Sequence, residues 1–138
     1  MTDPDLTVGA VITDDLREWL MASQRFPVLA VLAEDGSPSQ SVMWFDLDPD
    51  EPDTIVMNTK RGRAKERWLR RDPRVSVCFE EGMRWVAFKG RAEIDDDGER
   101  GQAGIAALAR RYDSDPARNE GQERVVIRVR VEKVIRHD

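Results

Sequence analysis

The residues best suited to chemistry lie together between positions 59 and 65. Thr59 ends an apolar run, Gly62 interrupts the chain, and Arg63 and Lys65 stand at the expected start of a helix. Backbone N–H groups are unpaired at a helix start, and two cations with a hydroxyl beside them suit a phosphate group. The spacing is not that of a P-loop. The segment predicts a phosphate or similar anion site, with a solvated basic helix as the alternative.

Charge along the chain favours a compact anion over a polymer. The 138 residues include 22 basic and 27 acidic side chains, a formal net charge of -5. Residues 60–74 hold eight basic against two acidic residues, so this segment is +6 and the remainder is -11. The surrounding negative field would repel a long polyanion such as a nucleic acid. Within the segment we expect Arg70, Arg71 and Arg74 to be solvated or ion-paired.

Side chains that usually act as catalysts or metal ligands are scarce. Cys78 is the single cysteine and His137 the single histidine, which excludes an internal disulfide and a cysteine-rich metal site. A Ser-His-Asp unit would depend on a histidine one residue from the C-terminus. We expect no catalytic side chain, no metal, and a buried or half-buried, unreactive Cys78 thiol. Enzymatic chemistry would then come from a bound cofactor.

Composition and the first residues bear on the class of protein. With 40% hydrophobic and 36% charged residues, the chain suits one folded domain, 1–138, rather than a disordered segment. No run approaches the ~20 apolar residues of a membrane span. Met1–Asp5 lacks the apolar core of a signal peptide. We therefore expect a cytoplasmic protein, with residues 1–12 loosely ordered.

Hydrophobic patterning predicts three helices and six strands. Helical spacing follows Thr13, spans Ala64–Arg71 and recurs after Gly98. Apolar or alternating runs bounded by turn residues predict strands at 26–33, 39–46, 54–59, 75–79, 84–94 and 125–131. Short turns join most of these strands, and few residues remain to cover two sheet faces. The expected fold is mainly β with about three short helices, a six-stranded antiparallel barrel.

Two segments are similar to a known family. Asn58–Lys65 reads NTKRGRAK, and Leu69–Val77 contains RRDPRV. Together with the Gly36-Ser37-Pro38 turn before them and the Gly90–Glu93 strand after them, this order resembles the pyridoxamine 5'-phosphate oxidase-like split β-barrel flavoproteins. Within that group the chain looks most like the small oxidoreductases that use the deazaflavin coenzyme F420. The resemblance spans about residues 13–135 and implies a six-stranded split barrel of the FMN-binding type.

The resemblance also implies where a cofactor would bind. Its phosphate-bearing tail would lie on Thr59, Arg63 and Lys65, and its ring against the second and third strands. The family is typically dimeric with the site at the subunit interface, so Trp85 would reach the cofactor of the partner copy. The implied cofactor-binding residues are Ser41, Val42, Met43, Trp44, Met57, Asn58, Thr59, Lys60, Arg63, Lys65 and Trp85.

The expected reaction is hydride transfer from reduced F420 to a small conjugated acceptor such as an enone or a quinone. FMN is the alternative ring system, and a cofactor carrier without a dedicated substrate is a second alternative. A third is a module for single-stranded nucleic acid, with Trp44, Trp68 and Trp85 as stacking platforms. The partners expected are a second copy of the chain and the small-molecule acceptor, without nucleic acid or membrane.

Overall fold

The fold is mainly β, with three helices among residues 11–137. The computed structural model describes residues 11–137. Its elements, in chain order, are α1 Asp14–Met21, β1 Val28–Leu32, β2 Pro38–Val42, β3 Asp46–Leu47, β4 Thr54–Lys60, α2 Ala64–Arg71, β5 Arg74–Glu81, β6 Arg84–Asp95, α3 Gly98–Arg111, a 3₁₀ turn Pro116–Asn119 and β7 Arg124–His137. The mainly β architecture with three helices is confirmed, and α2 has the bounds that the sequence predicted.

One antiparallel sheet contains seven strands, in the order β2-β1-β5-β6-β7-β4-β3. The expected count of six is wrong because residues 39–46 do not form one strand. The first part of this run pairs with β1 as β2, whereas Asp46 pairs with β4 in β3. Residues 43–45 cross from one edge of the sheet to the other. Within the described chain, β2 and β3 are therefore the edges, and no strand pairing closes the sheet into a complete barrel.

Alternating side chains of the central strands build the hydrophobic core. Val75, Val77 and Phe79 of β5 are buried, as their spacing predicted, and Cys78 lies half-buried on the opposite face. Phe79 packs edge-on against Phe88 of β6, with ring centroids 5.8 Å apart. Burying a side chain of this size contributes roughly 1.5–3 kcal/mol to stability. The core therefore stabilises the central pair of strands, β5 and β6.

Residues 11 and 12 join the chain to this core. The N–H groups of Val11 and Ile12 donate to Oδ1 of Asp53, at 2.9 Å and 2.7 Å, and Ile12 is buried. Loose order was expected for residues 1–12, of which residues 1–10 lie outside the described residues. No helix within 11–137 has the length and apolarity needed to cross a membrane.

Helix α3 crosses the outer face of β4 and β7. Ile105 and Leu108 are buried on its inner side, as the helical spacing predicted. The approach is closest at Gly101, where an added Cβ would lie 1.9 Å from the carbonyl oxygen of Arg124. Only glycine permits this distance. The first turns of α3 are therefore pressed against the start of β7, beside the end of β4.

Candidate functional site

A tight turn places basic residues at the start of α2. Gly62 has φ +88°, a left-handed conformation that other residues rarely adopt. Arg63 occupies the N-cap position of α2 without a side-chain cap. Glu66 supplies the cap instead, because its Oε1 accepts a hydrogen bond of 2.6 Å from the N–H of Gly62. The turn presents Arg63 and the first turn of α2 beside the end of β4.

The ammonium group of Lys65 reaches the end of β2. Its Nζ lies 3.2 Å from Sδ of Met43, and the Ser41 hydroxyl donates to the same sulfur at 3.6 Å. Burial lowers the pKa of Lys65, and the guanidinium groups of Arg63 and Arg124 lower it further. The residues after β2 and the start of α2, both expected in the site, are therefore in contact.

Most other cations of the basic segment are ion-paired or hydrogen-bonded by the protein. Arg70 pairs with Asp96 and, at 2.8 Å, with the capping carboxylate of α2. Arg74 pairs with Asp72 at 2.7 Å, and its hydrogen bonds lower the pKa of that carboxyl to about 2. Arg71 donates to two backbone carbonyls of the turn between β1 and β2. The expectation that Arg70, Arg71 and Arg74 are ion-paired or solvated is confirmed.

Five cations of the segment lack an acidic partner within residues 11–137. Two of them, Arg67 and Arg71, donate instead to backbone carbonyls, and the other three have neither kind of contact. Lys60, Arg63 and Lys65 form no ion pair with any carboxylate in residues 11–137. A fourth such cation, Arg124, joins them from the first residue of β7, directly opposite Lys60 in the antiparallel register. Burial lowers the pKa of Arg124, and the charge of Arg63 adds to the effect. These four residues are called the cation cluster below.

Sequence reasoning missed Arg124. The last strand was expected to begin at Val125, so Arg124 lay outside every predicted element. One of its partners, Asn58, is 66 positions away in the sequence, and Nε of Arg124 donates to its Oδ1 at 2.9 Å. No local spacing marks such a contact. Only the pairing of β4 with β7 places Arg124 beside α2.

A cavity of about 290 Å³ opens beside the cation cluster. Its lining residues are Val42, Met43, Trp44, Asn58, Ile105, Leu108, Asn119 and Arg124. Half of these are residues that the sequence placed in the site. A second cavity of about 370 Å³ shares Trp44 and Asn119 with the first and is lined otherwise by polar side chains and Arg118. The two cavities therefore adjoin at Trp44 and Asn119.

Trp44 forms an aromatic wall of both cavities. Its ring stacks on Tyr112 of the α3 C-terminus, with centroids 5.2 Å apart and an interplanar angle of 6°. The Tyr112 hydroxyl donates to the carbonyl of Arg25 and accepts from the N–H of Phe45 at 3.3 Å. These two hydrogen bonds to backbone groups fix the position of the Tyr112 ring. The ring in turn orients Trp44, which stacks on it. Phe45 is fully buried on the other face, as its alternation with Trp44 predicted.

Seven of the eleven expected site residues line neither cavity. Lys60, Arg63 and Lys65 belong to the cation cluster and Ser41 contacts Met43, whereas the other three lie elsewhere. Met57 is fully buried in the hydrophobic core, and Thr59 is 5% exposed on the same inward face of β4. Trp85 lies at the start of β6, where its ring stacks on His137 with centroids 5.9 Å apart. The opposite end of β6 lies beside the start of β7, because Asp95 pairs with Val126. Trp85 is therefore remote from the cation cluster within one chain.

Cys78 lines neither cavity. Burial raises the pKa of the Cys78 thiol, and the nearby Glu80 raises it further, so the thiolate is disfavoured. In the part of the chain that the structure describes, no three His, Cys, Asp or Glu side chains are grouped so that they could hold a metal ion. What the cavity offers is cationic charge, an aromatic wall and apolar side chains. This arrangement suits binding of an anionic, ring-bearing molecule.

Comparison with known proteins identifies the family. The family model described as pyridoxamine 5'-phosphate oxidase matches residues 12–138. A solved structure of the conserved hypothetical protein Rv2991 from Mycobacterium tuberculosis is 26% identical with a TM-score of 0.77, covering 95% of this chain and 88% of that chain. A structure named F420 reductase is also 26% identical, with a TM-score of 0.73, covering 86% of this chain and 94% of that chain.

General stress protein 26 from Bacillus anthracis shares the fold, with a TM-score of 0.65 at 20% identity over 88% of this chain and 92% of that chain. The family model covers the chain from the buried Ile12 onward, so it includes every strand of the sheet and every member of the cation cluster. The protein thus belongs to the pyridoxamine 5'-phosphate oxidase family of split-barrel proteins, and the F420 reductase lies among its structural neighbours.

Proposed function

We propose that the protein is an oxidoreductase that binds coenzyme F420 and transfers a hydride to a small conjugated acceptor. The observation that carries the proposal is the cation cluster, whose members lack acidic partners among residues 11–137 and lie beside the 290 Å³ cavity. Cations that repel one another and are partly removed from water destabilise the folded chain. An anion bound among them removes this repulsion. The phosphate of a cofactor tail is such an anion.

The residues present fit the phosphate-bearing end of the cofactor. Arg63 and Lys65 would hold the phosphate together with the N–H groups at the start of α2. Trp44 and Met43 would border the ring and exclude water from one side of it. When bound, the reduced deazaflavin supplies the hydride. The chain itself contributes binding, orientation and exclusion of water, and no side chain of the cavity is assigned as an acid or a base.

Two observations favour F420 over FMN. One is the similarity to the F420 reductase, at 26% identity over most of both chains. The other is charge, because FMN ends in a single phosphate, whereas the F420 tail carries carboxylates beyond its phosphate. Four uncompensated cations suit the more highly charged tail. FMN remains the second candidate, since the family model itself belongs to a flavin-type family. A carrier without a dedicated acceptor would use the same site.

A cofactor titration tests this proposal. The purified protein is titrated with F420 and, in parallel, with FMN, following ring absorbance or fluorescence. We expect saturable one-to-one binding of F420 that is tighter than binding of FMN. Tight FMN binding without F420 binding would assign the protein to the flavin alternative, and binding of neither would reject both. Turnover of reduced F420 with quinone and enone acceptors then distinguishes an enzyme from a carrier, which would bind F420 without oxidising it.

We also propose that the working form is a homodimer. One row of side chains on the outer face of the sheet is apolar across five neighbouring strands. Its members, paired in register, are Val42, Val28, Cys78, Ala87 and Ile135. Val42 is 66% and Ile135 37% exposed, and such a continuous apolar surface is typical of an interface. A second copy covering this row would border the cavity at Val42, and Trp85, two residues from Ala87, would lie at the same interface.

Light scattering tests the dimer. We expect a dimer mass for the natural protein at micromolar concentration and a monomer mass for Ile135→Glu, which places a charge in the apolar row. Met83→Glu is the matched control, because Met83 is 86% exposed at the turn between β5 and β6, outside the row. A monomeric natural protein that still binds its cofactor tightly would contradict the proposal.

A further inference from the structure

Arg124 and Lys60 carry like charges at directly opposite positions of the sheet. They are direct partners in the antiparallel register of β4 and β7, so their side chains leave the same face of the sheet. Like charges directly opposite each other on one face destabilise a sheet. Arg63 adds to the unfavourable charge, since it lowers the pKa of both Arg124 and Lys65. Neither Arg124 nor Lys60 has a carboxylate partner within the described residues.

Neutral groups hold the Arg124 guanidinium in place. Its Nε donates to Oδ1 of Asn58 at 2.9 Å, and its Nη1 donates to Oε1 of Gln122 at 3.0 Å. Neither contact reduces the positive charge. A guanidinium has five N–H donors, so these two bonds fix its plane and leave other donors for an anion.

Asn58 is fully engaged by the protein. Its Oδ1 accepts from Arg124, and its Nδ2 donates to the carbonyl of Gly101 in α3 at 2.9 Å. It is 6% exposed. Gly101 in turn lies against the backbone of Arg124, where no Cβ would fit. The side chain of Asn58 therefore links α3 to Arg124.

We propose that Arg124 binds the phosphate of the cofactor together with Arg63 and Lys65, and that Asn58 is a positioning residue that acts through Arg124. This inference rests on the proposed function. The ligand is a phosphate ester that carries a planar ring, and Arg124 recognises its phosphate. Asn58 holds the guanidinium in the plane from which its remaining donors reach the phosphate.

Pairs of cofactors with and without the phosphate-bearing tail test the role of Arg124. The Kd of F420 and of its tail-free ring system is measured for the natural protein, for Arg124→Gln and for Arg130→Gln. Arg130 lies on the same strand but pairs with Glu51 and Glu93 on the surface, so it is the matched control. We expect Arg124→Gln to raise the Kd of F420 at least tenfold and that of the tail-free ring less than twofold. Arg130→Gln should change neither.

The outcomes separate the two proposals. If the natural protein binds F420 and Arg124→Gln leaves its Kd unchanged, this inference is wrong and the proposed function stands. An equal loss for F420 and the tail-free ring would also overturn it, because the loss would then not concern the phosphate. If the protein binds FMN instead, the same comparison is made between FMN and riboflavin. Binding of none of these ligands would overturn both proposals.

A double-mutant cycle tests the positioning role of Asn58. Asn58→Asp keeps the shape of the side chain but sets a carboxylate against Arg124. We expect it to raise the Kd of F420 about fivefold or more in the natural background and to have almost no effect in the Arg124→Gln background. Equal losses in both backgrounds, or an equal loss for the tail-free ring, would show that Asn58 acts otherwise. Asn58→Ala serves as a second variant if Asn58→Asp does not fold, as judged by its melting profile.

Discussion

Two groups of cations lie within a few residues of each other and differ in what faces them. Arg61 and Arg70 meet acidic partners, since both pair with Asp96. Arg63 and Lys65, interleaved with them in the sequence, lie near each other and near Arg124 instead. The neutralised cations hold the turn and α2 against neighbouring segments. The uncompensated ones leave their charge available to a ligand, so the contrast distinguishes structural from binding cations in one basic segment.

Helix geometry separates the two groups. Glu66 and Arg70 are four residues apart, so they lie on one side of α2 and pair at 2.8 Å. Lys65 leaves the helix on another side, toward Met43 at 3.2 Å. An exposed ion pair typically contributes ~0–1 kcal/mol to stability, whereas a charge-assisted hydrogen bond to a buried group contributes roughly 1.5–3 kcal/mol. The binding cations should therefore dominate affinity, and the Glu66 cap should dominate local stability.

The largest effect should come from removing two binding cations together. Arg63→Ala with Lys65→Ala should raise the Kd of the cofactor about a hundredfold or more, since each contact contributes roughly 1.5–3 kcal/mol and ~1.4 kcal/mol is tenfold. Arg61→Ala with Arg74→Ala makes the same change of charge at neutralised positions and should alter the Kd less than about threefold. Titrations at one salt concentration compare them. Equal losses would show that net charge, rather than the cation cluster, binds the cofactor.

Loss of the helix cap should come next. Glu66→Ala removes the acceptor for the Gly62 N–H and the partner of Arg70, so it should lower the free energy of unfolding by about 1–3 kcal/mol. Glu120→Ala, at an exposed position, should change it by less than about 0.5 kcal/mol. Urea unfolding measures both. Similar stability in the two variants would contradict the capping role.

Lowering the pH should reduce the contribution of the ion pairs to stability more than it affects the cation cluster. Hydrogen bonds from Arg100 lower the pKa of Asp95 from 3.8 to about 2. A lowered carboxyl pKa stabilises the folded state above pH 3.8, and this stabilisation is lost as the pH falls toward 2. Asp95→Asn should therefore cost about 1–2 kcal/mol near pH 6 and almost nothing near pH 2, measured by unfolding at each pH. A cost that stays constant with pH would contradict the ion-pair origin.

The smallest effect should be a gain in stability. The pKa of Lys65 is lowered mainly by burial, so its charged form is disfavoured in the folded state. Below that pKa the charge costs stability, and the cost disappears as the pH rises past 10.5. Lys65→Met should raise the ligand-free free energy of unfolding by about 0.5–1 kcal/mol near pH 7 and weaken cofactor binding. The gain should shrink as the pH approaches 10.5, and a loss of stability near pH 7 would contradict it.

Local features were predictable where neighbouring residues suffice to produce them. The bounds of α2 follow from Gly62 before it and Asp72-Pro73 after it, and these bounds are confirmed. The inward alternation of Val75, Val77 and Phe79 is confirmed for the same reason. The six-strand expectation is wrong at residues 39–46. Their run of strand-forming residues gives no sign that residues 43–45 leave one edge of the sheet for the other.

The candidate site was predictable in part. The sequence identified Arg63 and Lys65, because a glycine turn before a basic helix is a local pattern. It also selected Met43, Trp44 and Asn58 through family resemblance, and all three line the cavity. It did not find Arg124, whose contacts cross the sheet. It also could not show that Met57 is fully buried or that Trp85 lies at the far end of β6.

The sequence by itself determined which residues are charged, where α2 begins and which strand faces are apolar. These properties depend on side-chain chemistry and on spacing over a few residues. Only the tertiary structure decided which cations keep their charge unpaired. Pairing of β4 with β7 sets Arg124 opposite Lys60, whereas the loop after β6 brings Asp96 to Arg61 and Arg70. Whether a charge is neutralised or left for a ligand depends on the groups within a few ångströms of it. Folding brings those groups together from positions far apart in the chain.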